Sequence, residues 1–477
     1  MSSANSQILS RSDVFASLGN PWAEDLLPEI QEALRERPNH KLIVLDDDAT
    51  GTQTVKNIPV VTDWAVETLS RELSGDAAGF FILTNSRSLP PEGTTVLHRE
   101  VAANIREAAI QAGVTFTLIS RSDSTLRGYY PLETDILNED LGPFDLLLIA
   151  PYFEAGGRYT IDDVHYVAEG DELIPAAETP FAQDKAFGYK NSNLNNWVEE
   201  KTGGSISVAD VRSISIDQLR KDGPAKVSEQ LLELPKGSVC IVNSACPSDM
   251  EVMALATLQA ERTGLKIAFR SAVAIVAARL GQLPREPLSP SELKSADSTR
   301  GGLIIVGSYV PKTTSQLESL LGSVEITQIE LSVDDLLDAS KNDEVIQLAS
   351  GRMNAALASG RDVVVSTSRI LVVGSDAESS LAIGRQVSDA LVSITRQLQS
   401  APSYLIAKGG ITSSDVATLG LDVRRALIVG QALPGVPVWK LGGESRFAGM
   451  NYVVFPGNVG DAQALGQLVS NLQSVTK

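Results

Sequence analysis

The sequence predicts an α/β protein of two layered domains with mostly parallel sheets and an active site in the cleft between them. Three observations carry this expectation. Short apolar runs alternate with stretches of helical period along most of the 477 residues, the pattern of strands joined by crossover helices. Aliphatic side chains dominate, with hydrophobic residues at 43% and aromatic ones at only 5%, as suits strands buried on both faces. Pro284, Pro287 and Pro290 punctuate a polar stretch after the first block of alternation. They set a linker at 286–300 between a domain at 41–285 and a second at 301–477.

The elements follow in chain order. Residues 1–40 are polar, hold Pro21, Pro28 and Pro38, and form an N-terminal extension in which 23–35 has a helical pattern. The first strand is read at 41–45, where Leu42 to Leu45 are uninterrupted apolar residues. Strands follow at 79–84, 115–119, 146–150 and 238–242, with helices at 94–112 and 250–262. The segment 151–200, with Gly156-Gly157 and several aromatics, breaks the alternation. A long surface excursion is the default for it, and a substrate-enclosing insertion the alternative. Beyond the linker, strands are read at 303–306, 362–366, 404–407, 427–429 and 452–455. Loops at 408–414 and 456–461 lead into helical patterns that begin near Asp415 and Ala462.

Composition narrows the function. A net charge of −19 argues against nucleic acid and against an anionic membrane surface as partners. Cys240 and Cys246 are too few for a disulfide scaffold and lie outside any metal-ligand spacing, which points to reduced thiols in a cytoplasmic protein. The N-terminus lacks a basic segment followed by an apolar one, and no apolar run approaches membrane-spanning length, so neither a secretory signal nor a membrane span is expected. Three histidines, His40, His98 and His165, make a His-rich zinc site improbable, and no dedicated metal site is expected.

In open parallel sheets, ligands bind beyond the carboxyl ends of the strands. Three such loops in the first half carry charge: Asp46-Asp47-Asp48-Ala49-Thr50-Gly51, Thr84-Asn85-Ser86-Arg87, and Arg121 through Gly128. Adjacent carboxylates repel one another, and a fold tolerates them where they bind something. Carboxylates accept hydrogen bonds from sugar hydroxyls and deprotonate one; arginines grip a carboxylate or phosphate in a fork. Any one loop alone reads more simply, as a local Asp123–Arg127 ion pair or a solvated Arg87. Three in succession suit a hydroxylated organic acid.

The second half presents Val306-Gly307-Ser308-Tyr309, Lys408-Gly409-Gly410-Ile411-Thr412-Ser413-Ser414, and Pro456-Gly457-Asn458-Val459-Gly460-Asp461. Glycines permit close backbone approach, and N–H groups at a helix start favour phosphate. Ser308, Thr412 and Ser413 add hydroxyls, although ordinary helix capping uses the same residues. Neither the P-loop sequence nor the dinucleotide Gly-x-Gly-x-x-Gly fingerprint occurs. One half therefore suits an acid and the other a nucleotide. Setting an acceptor hydroxyl against a γ-phosphate is the task of a small-molecule kinase, which needs positioning, Mg²⁺ and an acceptor base.

Taken in this order the motifs resemble the four-carbon acid sugar kinase family, whose members phosphorylate threonate, erythronate and 3-oxo-tetronates with ATP. The resemblance spans roughly residues 41–470. It rests on Asp47-Asp48-Ala49-Thr50-Gly51, Thr84 through Arg87, Asp123-Ser-Thr-Leu-Arg-Gly128, Ala150-Pro-Tyr-Phe-Glu-Ala-Gly-Gly-Arg158, Gly307-Ser308, Gly409-Gly410-Ile411-Thr412, Leu433-Pro-Gly-Val-Pro437 and Gly457-Asn-Val-Gly-Asp461. It implies an acid-sugar-binding N-terminal domain and a nucleotide-binding C-terminal domain, with ATP and Mg²⁺ as cofactors. Asp47 and Asp48 would face the acceptor hydroxyls, one of them as catalytic base. Arg87, Arg121 (where the family has Lys), Asp123 and Arg127 would meet the substrate. Ser308, Gly409, Gly410, Thr412, Gly457 and Gly460 would surround ATP. A homodimer is expected of a small-molecule kinase this size.

The chain departs from the family pattern at three places. Asp46 lengthens the acidic run, Ile411 stands where an acid is common, and Phe455-Pro-Gly-Asn-Val-Gly replaces Lys-x-Gly-Gly-Phe-Gly. Two rival readings follow. Asp46-Asp47-Asp48-Ala49-Thr50 and Ile82-Leu83-Thr84-Asn85 also fit haloacid-dehalogenase-type phosphatases, with Asp46 as nucleophile and Asp48 as general acid/base. The later lysine and acid pair of that family are missing, and the glycine loops are left without a task. The other rival is a non-catalytic sensor of an acid sugar or nucleotide.

Overall fold

The apolar run before the acidic residues folds as a strand, His40–Asp46, whose last six residues are all buried. Such strands recur along the chain in a computed structural model that describes residues 7–282, 286–295, 298–369, 372, 374 and 376–475. The strands are β1 (Leu9–Ser10), β2 (His40–Asp46), β3 (Ile58–Val61), β4 (Gly79–Leu83), β5 (Thr115–Arg121), β6 (Leu146–Ala150), β7 (Arg158–Ile161), β8 (Val164–Glu169), β9 (Glu172–Pro175) and β10 (Arg212–Ile214). They continue with β11 (Ser238–Val242), β12 (Ile267–Ser271), β13 (Leu303–Val306), β14 (Thr327–Leu331), β15 (Val363–Thr367), β16 (Leu405–Lys408), β17 (Arg425–Leu433), β18 (Val436–Leu441) and β19 (Asn451–Phe455).

Two compact units result. The first comprises Met1–Asp47 and Trp64–Pro284, the second Asp48–Asp63 and Arg285–Lys477. In the first unit the strands run β10-β11-β6-β12-β5-β2-β4, every neighbouring pair parallel. Parallel neighbours need crossovers, and helices such as Pro91–Ala112 and Pro247–Arg262 supply them. The first of these starts on a proline and ends where Gly113 turns left-handed at φ 66°. In the second unit β19-β16-β13-β15-β14 are parallel, while β3-β17-β18-β19 are antiparallel. The fold is thus α/β with mostly parallel sheets. Among the described residues, no helix is long and apolar enough to cross a membrane.

Several local expectations need correction. The segment 151–200 is not a surface excursion: β7, β8, β9 and the N-terminal β1 form a small antiparallel sheet, and Tyr159, Ile161, Val164 and Leu173 are buried. Its turns hid it, since Asp162 and Asp163 both adopt positive φ (49° and 62°), a conformation that composition does not announce. The N-terminal extension is built into the first unit, with Leu26, Ile30 and Ala33 buried. The described part of the linker belongs to the second unit: Leu288 N–H donates to Gln431 O at 2.7 Å, and Leu293 is buried. So does 48–63, which a serial division at 285 does not foresee. The helix expected near Asp415 starts at Gly410 and ends at Asp415, because Gly409, at φ 116°, breaks the strand and its carbonyl accepts from Ser413 N–H at 2.9 Å. The helix expected near Ala462 is Ala464–Ser474.

Candidate active site

In the first unit the parallel register of β2 and β5 sets Asp46 opposite Arg121. Arg121 Nη1 donates to Asp46 Oδ1 at 2.9 Å and lies 3.5 Å from Asp47 Oδ1. Asp46 is 0% exposed, and its Oδ2 has no hydrogen-bond partner among the described residues. Burial pushes its carboxyl up to about 7; Arg121 opposes that shift and Asp47 adds to it. Burial and the ion pair with Arg121 do not suit the nucleophile role that the phosphatase reading gives Asp46.

Asp47 follows at the strand end and is held from three sides. Ser122 Oγ donates to Oδ2 at 2.8 Å, and Arg87 Nε lies 3.5 Å from the same oxygen. Gly128 makes this approach feasible: at φ 117°, a Cβ there would fall 2.4 Å from Ser122 Oγ. Arg87 also reaches Asp123 Oδ1 at 3.3 Å. Asp123 is gripped by the Arg127 fork at 2.9 and 3.2 Å and accepts from Thr125 N–H at 3.2 Å. Burial alone would raise the Asp123 carboxyl, but Arg127 and Arg87 outweigh it and hold it well below the usual carboxylate range. The structure therefore gathers Asp47, Arg87, Arg121, Asp123 and Arg127 in one network, in which the local Asp123–Arg127 pair is present.

Residues that sequence reasoning passed over lie behind this network. Arg270, from inside β12, donates to Arg127 O at 3.2 Å and sits 4.9 Å from the centre of the Trp197 ring. Arg127 and Arg158 lie over the Phe181 ring, each 5.2 Å from its centre. Arg158 is buried, makes no ion pair among the described residues, and is pulled down to about 10 by burial. A charged residue in the middle of an apolar strand is the signal that would have found Arg270.

Asp48 belongs to the second unit. Its Oδ1 accepts from Thr50 N–H at 2.7 Å, capping the short helix Ala49–Thr52. Trp439 Nε1 donates to Thr52 Oγ1 at 2.8 Å and Gln53 Nε2 to Gly435 O at 2.9 Å, which fixes this segment there. A Cβ on Gly410 would come within 2.5 Å of Asp48 Oδ2, so only glycine allows the helix to begin against that carboxylate.

The loops after β13, β16 and β19 leave neighbouring parallel strands at the same end. Thr313 Oγ1 donates to Gly457 O at 3.1 Å and lies 3.3 Å from Ser308 Oγ. A Cβ on Gly307 would meet Thr412 Oγ1 at 2.3 Å, and one on Gly457 would meet Ser308 Oγ at 3.0 Å. Ser308, Gly409, Gly410, Thr412 and Gly457 are thus drawn together, while Gly460, at φ 81°, serves the turn into the last helix. Arg369, beyond β15, was not foreseen; its Nη2 donates to Ser308 O at 2.5 Å and to Thr314 Oγ1 at 3.0 Å.

Comparison with known proteins bears on both units. Residues 42–279 match a family described as a sugar-binding N-terminal domain, and residues 303–465 one described as a nucleotide-binding C-terminal domain. The chain is 25% identical over 369 residues to a D-erythronate kinase of Heliobacterium modesticaldum, covering 75% of this chain and 76% of that one. Its fold is similar to that of a Salmonella typhimurium LT2 structure described as a putative tRNA synthase, with TM-score 0.64, 15% identity, and 92% and 100% of the two chains covered. A DUF1537 protein of Haemophilus influenzae has the same fold at TM-score 0.59 and 17% identity, over 91% and 99% of the two chains. Carrying the sugar-binding and nucleotide-binding domains in that order, the chain belongs to the four-carbon acid sugar kinase family.

Proposed function

We propose that the chain transfers the γ-phosphoryl group of ATP, with Mg²⁺, to a hydroxyl of a four-carbon sugar acid such as threonate, erythronate or 3-oxo-tetronate. The observation that carries this reading is the Asp47 carboxylate, oriented by Ser122 and flanked by Arg87 and Arg121. An oriented carboxylate at a strand end accepts the proton of an attacking hydroxyl, and the arginines beside it attract the acid group of the substrate. Ser308, Gly409, Gly410, Thr412 and Gly457 supply the close backbone approach that a polyphosphate needs. Among the described residues no three His, Cys, Asp or Glu side chains converge as a metal cage. Asp48 would be the carboxylate to hold Mg²⁺, an ion that needs only one or two protein carboxylates. When bound, the ion neutralises charge on the transferring phosphoryl group.

A coupled assay of ADP formation with a panel of four-carbon acids tests the reading, with erythronate first because the similar Heliobacterium protein is named for it. Acid-dependent ADP formation supports a kinase. Phosphate release from phosphorylated sugars without nucleotide would point to a phosphatase, and binding without turnover to a sensor.

A further inference from the structure

Lys408 is the last residue of β16, and its register partners are Val306 on β13 and Phe455 on β19. It therefore lies between the strands that lead into the Gly307-Ser308 and Pro456–Gly460 loops. The side chain is 0% exposed. Its ammonium donates to Pro456 O at 2.7 Å and sits 4.1 Å from the centre of the Phe455 ring. Among the described residues it has no ion pair with a carboxylate, and the charged group acting on it is another cation, Lys312. Burial, and then Lys312, push the ammonium well below the usual lysine range. A buried cation without a counter-ion costs stability in the free protein.

We propose that Lys408 is a positioning residue for the nucleotide: its ammonium anchors the Pro456 carbonyl at the head of the glycine loop and becomes the counter-charge of the ATP phosphates seated above it. The inference rests on the nucleotide reading of the second unit and adds to it the source of the buried positive charge. It also gives the phenylalanine at 455 a role. Its aromatic face supports the ammonium arriving from the adjacent strand.

Such a residue has a signature that a merely structural lysine lacks, because removing it relieves the free protein while weakening the complex. The test measures thermal unfolding and ATP affinity, with and without Mg²⁺·ATP, for wild type, Lys408→Met and the double variant Lys408→Met/Phe455→Lys. In Lys408→Met the nucleotide-free protein should unfold at the same or a higher temperature, and the Kd for ATP should rise about tenfold, the scale of one lost charge-assisted interaction. Turnover at saturating ATP should change far less than KM for ATP. The double variant should recover affinity to within about threefold, since the cation is returned from the neighbouring strand. Lys408→Gln keeps a donor for the Pro456 carbonyl without the charge; it covers a failure of the methionine variant to fold and should show the same loss. A nucleotide-free protein destabilised by Lys408→Gln with unchanged ATP affinity overturns the proposal, as does a double variant that stays weak. If wild type gains no stability from Mg²⁺·ATP, the nucleotide reading itself fails. If wild type gains it and both single variants gain it equally, Lys408 alone is wrong.

Discussion

Arg121 Nη1 lies 2.9 Å from Asp46 Oδ1 and 3.5 Å from Asp47 Oδ1, so one guanidinium serves two consecutive carboxylates. Arg121→Leu leaves both acids buried without it, and breaking such a pair costs about 3–5 kcal/mol. Urea unfolding at pH 7 should show a loss of that order. A loss below about 1 kcal/mol, the range of an exposed pair, would mean the network is not what holds the strand ends.

The raised Asp46 carboxyl sets a pH dependence. Its folded value, about 7, lies above the ordinary aspartate value of 3.8, so between these the folded state holds the extra proton. Its contribution to stability is complete below the lower value and fades as pH rises through the upper one. Asp46→Asn should therefore gain on wild type between pH 5 and pH 8. An unchanged difference across that window would show that Asp46 is ionised throughout.

Asp47→Asn should lower kcat by about a hundredfold or more, the loss expected of a general base. Asp48→Asn is its comparison, because the two neighbours differ in surroundings: Asp47 faces Ser122 and two arginines, Asp48 faces Thr50. Unchanged turnover in both variants removes the pair from the chemistry.

Gly410→Val forces a side chain onto Asp48 Oδ2, where a Cβ already falls within 2.5 Å. KM for ATP should rise about tenfold or more, with KM for the sugar acid little changed. Movement of the acid KM alone would reverse the assignment of the two units.

His165 is fully buried, and its ring lies between Ser124 O at 2.8 Å and Thr160 Oγ1 at 3.0 Å. A carbonyl only accepts, so Nε2 carries the proton and Nδ1 accepts from the threonine. Burial pulls this histidine down to about 4, against 6.5 for the free group. The unfolded chain takes up the proton first as pH falls, so stability is lost between those values. Calorimetry on His165→Gln should show a flatter decline from pH 6.5 to 4.5. A decline identical to wild type would assign the acid sensitivity to other groups.

Much of the fold was readable because buried parallel strands are written as unbroken aliphatic runs. Residues 146–150, 238–242 and 303–306 match observed strands end to end. Strands that depart from that composition were missed: β12 carries Arg270, β14 alternates polar and apolar residues, and β7 to β9 turn at Asp162-Asp163. At the candidate site, the position of Asp47, Arg87 and Asp123 after strands was legible. The role of Asp46 was not, because it depends on a cross-strand register with a residue 75 positions away. Nor was the attachment of Asp48 to the other unit, which rests on contacts made from Gly410, Gly435 and Trp439.

That attachment has a consequence for synthesis on the ribosome. Strand β3 pairs with β17, so Ile58 finds its partner Ile428 only after most of the chain has emerged. The apolar Ile58–Val61 segment thus waits for this pairing across nearly all of the remaining chain. Late pairing of this kind delays completion of the fold. A fragment cut at the linker inherits the same defect permanently: residues 286–477 alone lack β3 and present the open side of β17. Independent production of the nucleotide-binding half therefore requires residues 48–63 to travel with it.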